Sequence, residues 1–180
     1  MFALHAIRAV YPDARLVFVH RDPVNVLLSV AKLTEVVRAP FTRRLDSIEI
    51  GRQESARWQE GARQMIGAES RLQMEEPICH VHHLDLITDP LATVEGVYRH
   101  FGLTLPLDAG TRLERMVGRH PNGGYAPHAY RFEDHGLDAA VERAKFRDYM
   151  VQFGIQPEGA PARVAPPGVA ASVPTQTPSG

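Results

Sequence analysis

The sequence predicts an α/β domain built on a parallel sheet, and three observations support this. Leu16 to Val19 is an unbroken apolar run between polar residues, which is typical of a strand covered on both faces. A helical pattern begins directly after it, at Asp22-Pro23, a good N-cap followed by a good first helical residue. A second strand, an Asp-Pro pair and a helix then follow between residues 77 and 101. Strands that each lead into a helix favour parallel pairing.

The other elements follow from apolar spacing and from turn residues. A short helix over residues 2–10 ends at the turn Tyr11-Pro12-Asp13, and the helix after Asp22 has a wide apolar face that continues to Leu33. The remaining predicted elements are a polar helix over 43–68, a strand over 77–82, a helix over 88–101 with Gly102 as its C-cap, a helix over 108–119, a glycine-bearing loop over 120–136 and a last helix over 137–153 that ends at Gly154.

Composition limits both the class of protein and its partners. The chain has 180 residues and 44% hydrophobic content, which predicts one domain, over residues 1–156. Residues 157–180 contain six of the fourteen prolines, so we expect a disordered tail there. A net charge of −1, from 20 basic and 21 acidic residues, provides no global field for nucleic acid or an anionic membrane. Any anion site must therefore be local.

Cysteine content and hydropathy predict the compartment. The single cysteine, Cys79, excludes an intramolecular disulfide and is expected to be a small buried apolar residue. No apolar run is long enough to span a membrane. We therefore expect a cytoplasmic protein.

The end of the first strand is the first candidate site. Arg21 is expected at the carboxyl edge of the sheet, where helix N-termini provide N–H groups to anions, and its guanidinium can hold a phosphate bidentately. Ser29 lies about two helical turns beyond the cap on the same side, so both residues can converge on one phosphate. In the alternative interpretation Arg21 pairs with a carboxylate, Asp22 only caps the helix and Ser29 bonds its own helix.

Three segments stand out along the chain, in the order YPDARLVFVHRDPVNVLLSV, HHLDLITDPLATVEGVYRHFGLTL and HAYRFEDHGLDAAVERAKFRDYMVQFGI. In this order they resemble segments of the sulfotransferases that use PAPS (3′-phosphoadenosine 5′-phosphosulfate), including bacterial members. The resemblance implies a P-loop NTPase-like, three-layer α/β fold in which helices flank a parallel sheet, N-terminally incomplete here. It also implies that Arg21 and Ser29, at the family's spacing of eight residues, bind the 3′-phosphate of the donor PAPS.

The resemblance extends to a glycine-bearing loop that closes over the nucleotide. It implies cofactor contacts from Gly123, Gly124, Tyr130 and Arg131, and sulfonate transfer to a hydroxyl or amine of a small-molecule, glycan or lipid acceptor. However, the sequence has no Lys-x-Gly-x-Ser/Thr loop for the 5′-phosphosulfate. The general base is unassigned. A truncated or degenerate relative that only binds the nucleotide is therefore the alternative.

Three further expectations concern other sites and assembly. His80, His82 and Asp85 have a spacing that suits a metal, but we expect a structural cluster and no metal site. Trp58 is expected to pack in the core. Because a two-stranded sheet leaves its edges exposed, we expect the chain to form a homodimer or to be poorly stable.

Overall fold

A computed structural model of the chain describes residues 2–68, 71, 78–119 and 131–158. Two strands, β1 (Val17–His20) and β2 (Cys79–His82), form a parallel sheet in which Val17 is paired with Cys79 and His20 with His82. The α-helices of the described residues are α1 (Leu4–Val10), α2 (Pro23–Arg38), α3 (Ser47–Met65), α4 (His83–Thr88), α5 (Pro90–His100), α6 (Leu107–Arg119), α7 (Ala139–Lys145) and α8 (Arg147–Gln152). The predicted parallel sheet is confirmed.

Helix α2 begins where the sequence predicts. The Asp22 side chain accepts a hydrogen bond from the backbone N–H of Val24, and Pro23 occupies the first helical position. The buried face of the helix packs mainly against α3, and its buried apolar residues are Val24, Leu27, Leu28 and Ala31. The cap and the apolar face together fix the start of α2 at the carboxyl end of β1.

The core covers only one face of β1 within the described residues. Phe18 packs against the core cluster and His20 is fully buried, whereas Val17 and Val19 are 45% and 46% exposed. The expectation that this strand is covered on both faces is therefore wrong for the part of the chain that the structure describes. Cys79 is buried with a free thiol, as expected.

Two helical regions are divided differently from the prediction. The segment after β2 forms the additional helix α4 before Asp89 caps α5. The expected last helix is divided at Phe146, where the backbone N–H is shared between the carbonyls of Glu142 and Arg143. The Phe146 side chain is 1% exposed, so the interruption places it in the core.

Several predicted features lie outside the described residues. These are the part of the predicted glycine-bearing loop over 120–130 and the part of the expected tail over 159–180. Within the described residues no helix has both the length and the apolar content needed to cross a membrane.

Gly51 brings the backbone of α3 into close contact with the 3₁₀ turn at residues 133–135. A Cβ added at Gly51 would lie 2.1 Å from the backbone oxygen of His135, whereas one added at Gly96 of α5 would have no neighbour within 4 Å. We expect Gly51→Ala to lower the free energy of unfolding by about 1–3 kcal/mol because the backbones must separate. Gly96→Ala is the matched control and should raise it by roughly 0.5–1 kcal/mol. Urea denaturation of both variants measures the difference, and equal effects would contradict the close contact.

Candidate functional site

The site begins at the carboxyl end of β1, where Arg21 leaves the sheet. Its guanidinium donates from Nε to both carboxylate oxygens of Glu158, at 3.1 and 3.2 Å, and from Nη2 to Oε2 at 3.1 Å. Asn25, one turn into α2, donates from Nδ2 to the same Oε2 at 3.1 Å. Within the described residues Arg21 therefore pairs with a carboxylate, that of Glu158, as the alternative interpretation expected. The carboxylate shows that these groups are placed to hold an oxyanion.

Asp22 supports this arrangement from below. Its side chain is fully buried; Oδ1 accepts from the Val24 N–H, and Oδ2 accepts from the Glu158 N–H at 2.9 Å and from Nη2 of Arg143 at 3.2 Å. Burial of a carboxylate is costly unless hydrogen bonds and a positive charge compensate for the lost water. Asp22 has both, so it joins α2, α7 and the C-terminal segment at one point.

His20 lies under the same edge of the sheet. Its ring is 1% exposed, stacks on Phe153 and forms hydrogen bonds at 2.8 Å between Nδ1 and the Tyr149 hydroxyl and at 2.7 Å between Nε2 and Nδ1 of His80. Burial, together with the nearby His80 and His82, lowers the pKa of His20 to about 3. The ring is therefore neutral at pH 7, with one nitrogen donating and one accepting.

A cavity of about 410 Å³ opens beside Arg21. Its walls include four aromatic side chains and the imidazole of His83; the aromatic residues are Phe18, Trp58, Phe146 and Tyr149. Trp58 packs against the core, as expected, and it also lines the cavity. Burial and the nearby Arg21 lower the pKa of His83, whereas Glu158 opposes that shift. An apolar cavity with a cation at its edge suits a ligand that has a flat ring and an anionic group.

The structure brings together only part of the predicted set. Ser29 is exposed on α2, one turn beyond Asn25, and its hydroxyl has no hydrogen-bond partner within the described residues. Arg131 is exposed and lies 3.5 Å from Glu133. The other three predicted contacts, Gly123, Gly124 and Tyr130, lie outside the described residues. Asn25, His83 and Glu158 are the neighbours of Arg21 that the sequence analysis missed.

The histidines of β2 do not form a metal site in the part of the chain that the structure describes. His80 bonds His20, and no group of three or more His, Cys, Asp or Glu side chains in that part is placed to hold a metal ion. The His80 ring also lies 5.0 Å from the Phe153 ring, centroid to centroid.

Comparison with known proteins identifies similar folds. The protein-family model described as "Sulfotransferase family" matches residues 1–107 of this chain. The chain is similar to the crystal structure of the sulfotransferase STF9 from Mycobacterium avium, with 26% identity, 87% of this chain and 40% of that chain covered, and a TM-score of 0.76. It is also similar to the sulfotransferase STF1 from Mycobacterium tuberculosis H37Rv, with 28% identity, 82% and 37% coverage, and a TM-score of 0.61. No curated protein matches the sequence.

The chain spans about two fifths of the length of these solved sulfotransferases. Over that span the similarity confirms the predicted resemblance and the P-loop-like α/β fold.

Buried His20 makes stability depend on pH. Its folded pKa of about 3 lies below the ordinary value of 6.5, so between these values the unfolded chain binds a proton that the folded chain does not. The free energy of unfolding should therefore fall as pH decreases from 6.5, by up to about 1.4 kcal/mol per pH unit from this group. His20→Gln should reduce this slope, whereas His5→Gln, at an exposed position of α1, should not. Urea titrations between pH 5 and 7 measure the slopes; an unchanged slope in His20→Gln would contradict the assignment.

Asp22 should matter more for stability than an ordinary helix cap. Asp22→Ala removes a cap and also leaves Arg143 and the Glu158 N–H without their acceptor, so we expect a loss of about 3–5 kcal/mol. Asp138→Ala removes the exposed cap of α7, which accepts only from Ala140 and Val141, and should cost about 1 kcal/mol. Equal losses in chemical denaturation would show that the buried network adds nothing to capping.

Proposed function

The chain belongs to the sulfotransferase family, and on this premise we propose that it binds the donor PAPS through its 3′-phosphate and transfers the sulfonate to a hydroxyl or amine acceptor. The observation that carries the proposal is the position of Arg21. Its guanidinium stands at the carboxyl end of a parallel strand, beside a helix N-terminus, and already holds an oxyanion. The residues present therefore fit a phosphate.

The roles of individual residues follow from their positions. Arg21 would bind two phosphate oxygens with its planar fork, and the exposed Ser29 hydroxyl would donate a further hydrogen bond from the next turns of α2. Asp22 holds the helix start in place. The aromatic walls of the cavity next to Arg21 suit the nucleoside, because a purine stacks favourably on such rings. We propose Gly123, Gly124, Tyr130 and Arg131 as a loop that closes the nucleotide end.

The chemistry that PAPS supplies is an activated sulfonate. On transfer, an acceptor oxygen or nitrogen would form the new bond to sulfur while the bond to the 5′-phosphate breaks and adenosine 3′,5′-bisphosphate is released. The acceptor proton would pass to a general base. The described residues contribute binding and orientation of the donor, and the acceptor class remains a small molecule, glycan or lipid.

A second candidate function is nucleotide binding without turnover. The sequence contains no Lys-x-Gly-x-Ser/Thr or Gly-x-x-Gly-Lys pattern for a phosphosulfate. Release of adenosine 3′,5′-bisphosphate from PAPS in the presence of an acceptor would favour the enzyme, and binding without release would favour the second function.

Location and assembly also belong to this proposal. We propose a cytoplasmic protein, supported by the free thiol of Cys79. We further propose a homodimer, supported by the exposure of Val17 and Val19 on β1.

Binding of adenosine 3′,5′-bisphosphate tests the proposed function directly. Trp58 is the only tryptophan and lines the cavity, so its fluorescence should change on binding, and calorimetry gives the affinity independently. Arg21→Ala should weaken binding about 10- to 100-fold, because charge-assisted hydrogen bonds are lost, and Ser29→Ala about threefold to tenfold.

Arg112→Ala is the matched control for this titration. Arg112 is also exposed and also pairs with a carboxylate, that of Asp108 at 2.8 Å, but it lies on α6. Its substitution should leave the affinity unchanged. Absence of binding by the folded wild type, or equal affinity in Arg21→Ala, would contradict the proposal.

A further inference from the structure

Glu158 occupies the position beside Arg21 that an anionic ligand would need. Its carboxylate accepts three hydrogen bonds from Arg21 and one from Asn25, and its side chain is only 13% exposed. Nδ1 of His83 lies 3.8 Å from Oε1, buried and without a hydrogen-bond partner within the described residues. The donors that surround the carboxylate are therefore those that a phosphate would use.

The chain after α8 delivers this carboxylate from a fixed point. Gly154 adopts a positive φ of 61°, which ends the helix and reverses the chain, and Ile155 is buried in the core cluster. Three residues later the backbone N–H of Glu158 donates to Asp22 at 2.9 Å. The backbone is thus anchored independently of the carboxylate, and the side chain can leave Arg21 while the anchor remains.

Charge holds the carboxylate in place. Burial raises the pKa of Glu158, but the hydrogen bonds from Arg21 and Asn25 and the charge of Arg21 outweigh it and lower the pKa overall. Glu158 is therefore ionised at neutral pH. An ionised carboxylate and a phosphate cannot occupy the same guanidinium fork together, because both need the same N–H groups and repel each other.

We propose that Arg21, Asn25 and His83 form a phosphate site whose internal occupant is Glu158, so that a phosphomonoester binds there only by displacing the Glu158 side chain. This inference rests on the proposed function, and it adds two binding residues and a competing group to it. Because Arg21 must first be free of Glu158, the apparent dissociation constant equals the intrinsic one divided by the fraction of molecules in which Arg21 is free.

The shape of the ligand gives His83 a role that the carboxylate does not use. A phosphate is tetrahedral and carries one more terminal oxygen than the planar carboxylate. While Arg21 holds two oxygens and Asn25 donates to one of them, the third points away from the fork. Nδ1 of His83 lies 3.8 Å from Oε1, outside the Arg21 fork, and His83 lines both the large cavity and the small cleft that Glu158 also lines. Its unpartnered Nδ1 would then donate to the third oxygen.

Removal of the charge of Glu158 is the test. Glu158→Gln keeps the size of the side chain and the backbone anchor to Asp22 but no longer competes as an anion. We expect this variant to bind adenosine 3′,5′-bisphosphate about fivefold to tenfold more tightly than the wild type. Glu114→Gln, an exposed position on α6 with the same change of charge, is the matched control and should bind like the wild type. Asn25→Ala in the Glu158→Gln background should weaken binding about threefold to tenfold.

Inorganic phosphate as a second probe separates this inference from the proposed function. In the first outcome, Glu158→Gln binds phosphate, the added Arg21→Ala abolishes this binding, and no variant binds the bisphosphate. This outcome would retain the competing anion site and overturn the nucleotide function. In the second outcome, the wild type binds the bisphosphate and Glu158→Gln binds it with equal or lower affinity. This outcome would retain the function and overturn the inference. Binding of neither probe by folded variants would overturn both.

Discussion

The rest of the site depends on one buried carboxylate, that of Asp22. It ends the strand-to-helix turn by capping α2, and its second oxygen binds Arg143 of α7 and the backbone of Glu158. A buried charge is tolerated only when its partners remain in place, so each of these elements is fixed relative to the others. Arg21, the preceding residue, is positioned by the same turn. Stability and ligand geometry therefore share one set of contacts.

The local part of this arrangement could be predicted from the sequence. An apolar run followed by Asp-Pro specifies a strand, a cap and a helix start within a few residues, and it places Arg21 at the sheet edge. Asn25 could also have been found, since it precedes Ser29 by four residues and so lies on the same face of α2. Local spacing contains this information because helix geometry fixes it.

The non-local part could not be predicted in this way. Glu158 lies 137 residues from Arg21, in a proline-rich stretch with no periodic pattern, and only the turn at Gly154 and the anchor to Asp22 bring it back to the sheet edge. The interruption at Phe146 is similar: the flanking residues favour one continuous helix, and burial of the ring in the core decides otherwise. Tertiary packing outweighs local preference at both places.

The balance of charge around Arg21 supports the proposed anion site. With Glu158 in place, the two guanidinium groups of Arg21 and Arg143 face the two carboxylates of Asp22 and Glu158, so the cluster is neutral. When the Glu158 side chain leaves, one positive charge is uncompensated at the mouth of an apolar cavity. Because the net charge of −1 provides no attractive field at longer range, this local imbalance would supply the attraction for the proposed anionic ligand. A neutral His20 beneath the site adds nothing to that charge, so in the proposed function anion binding would depend on Arg21 and on displacement of the Glu158 side chain.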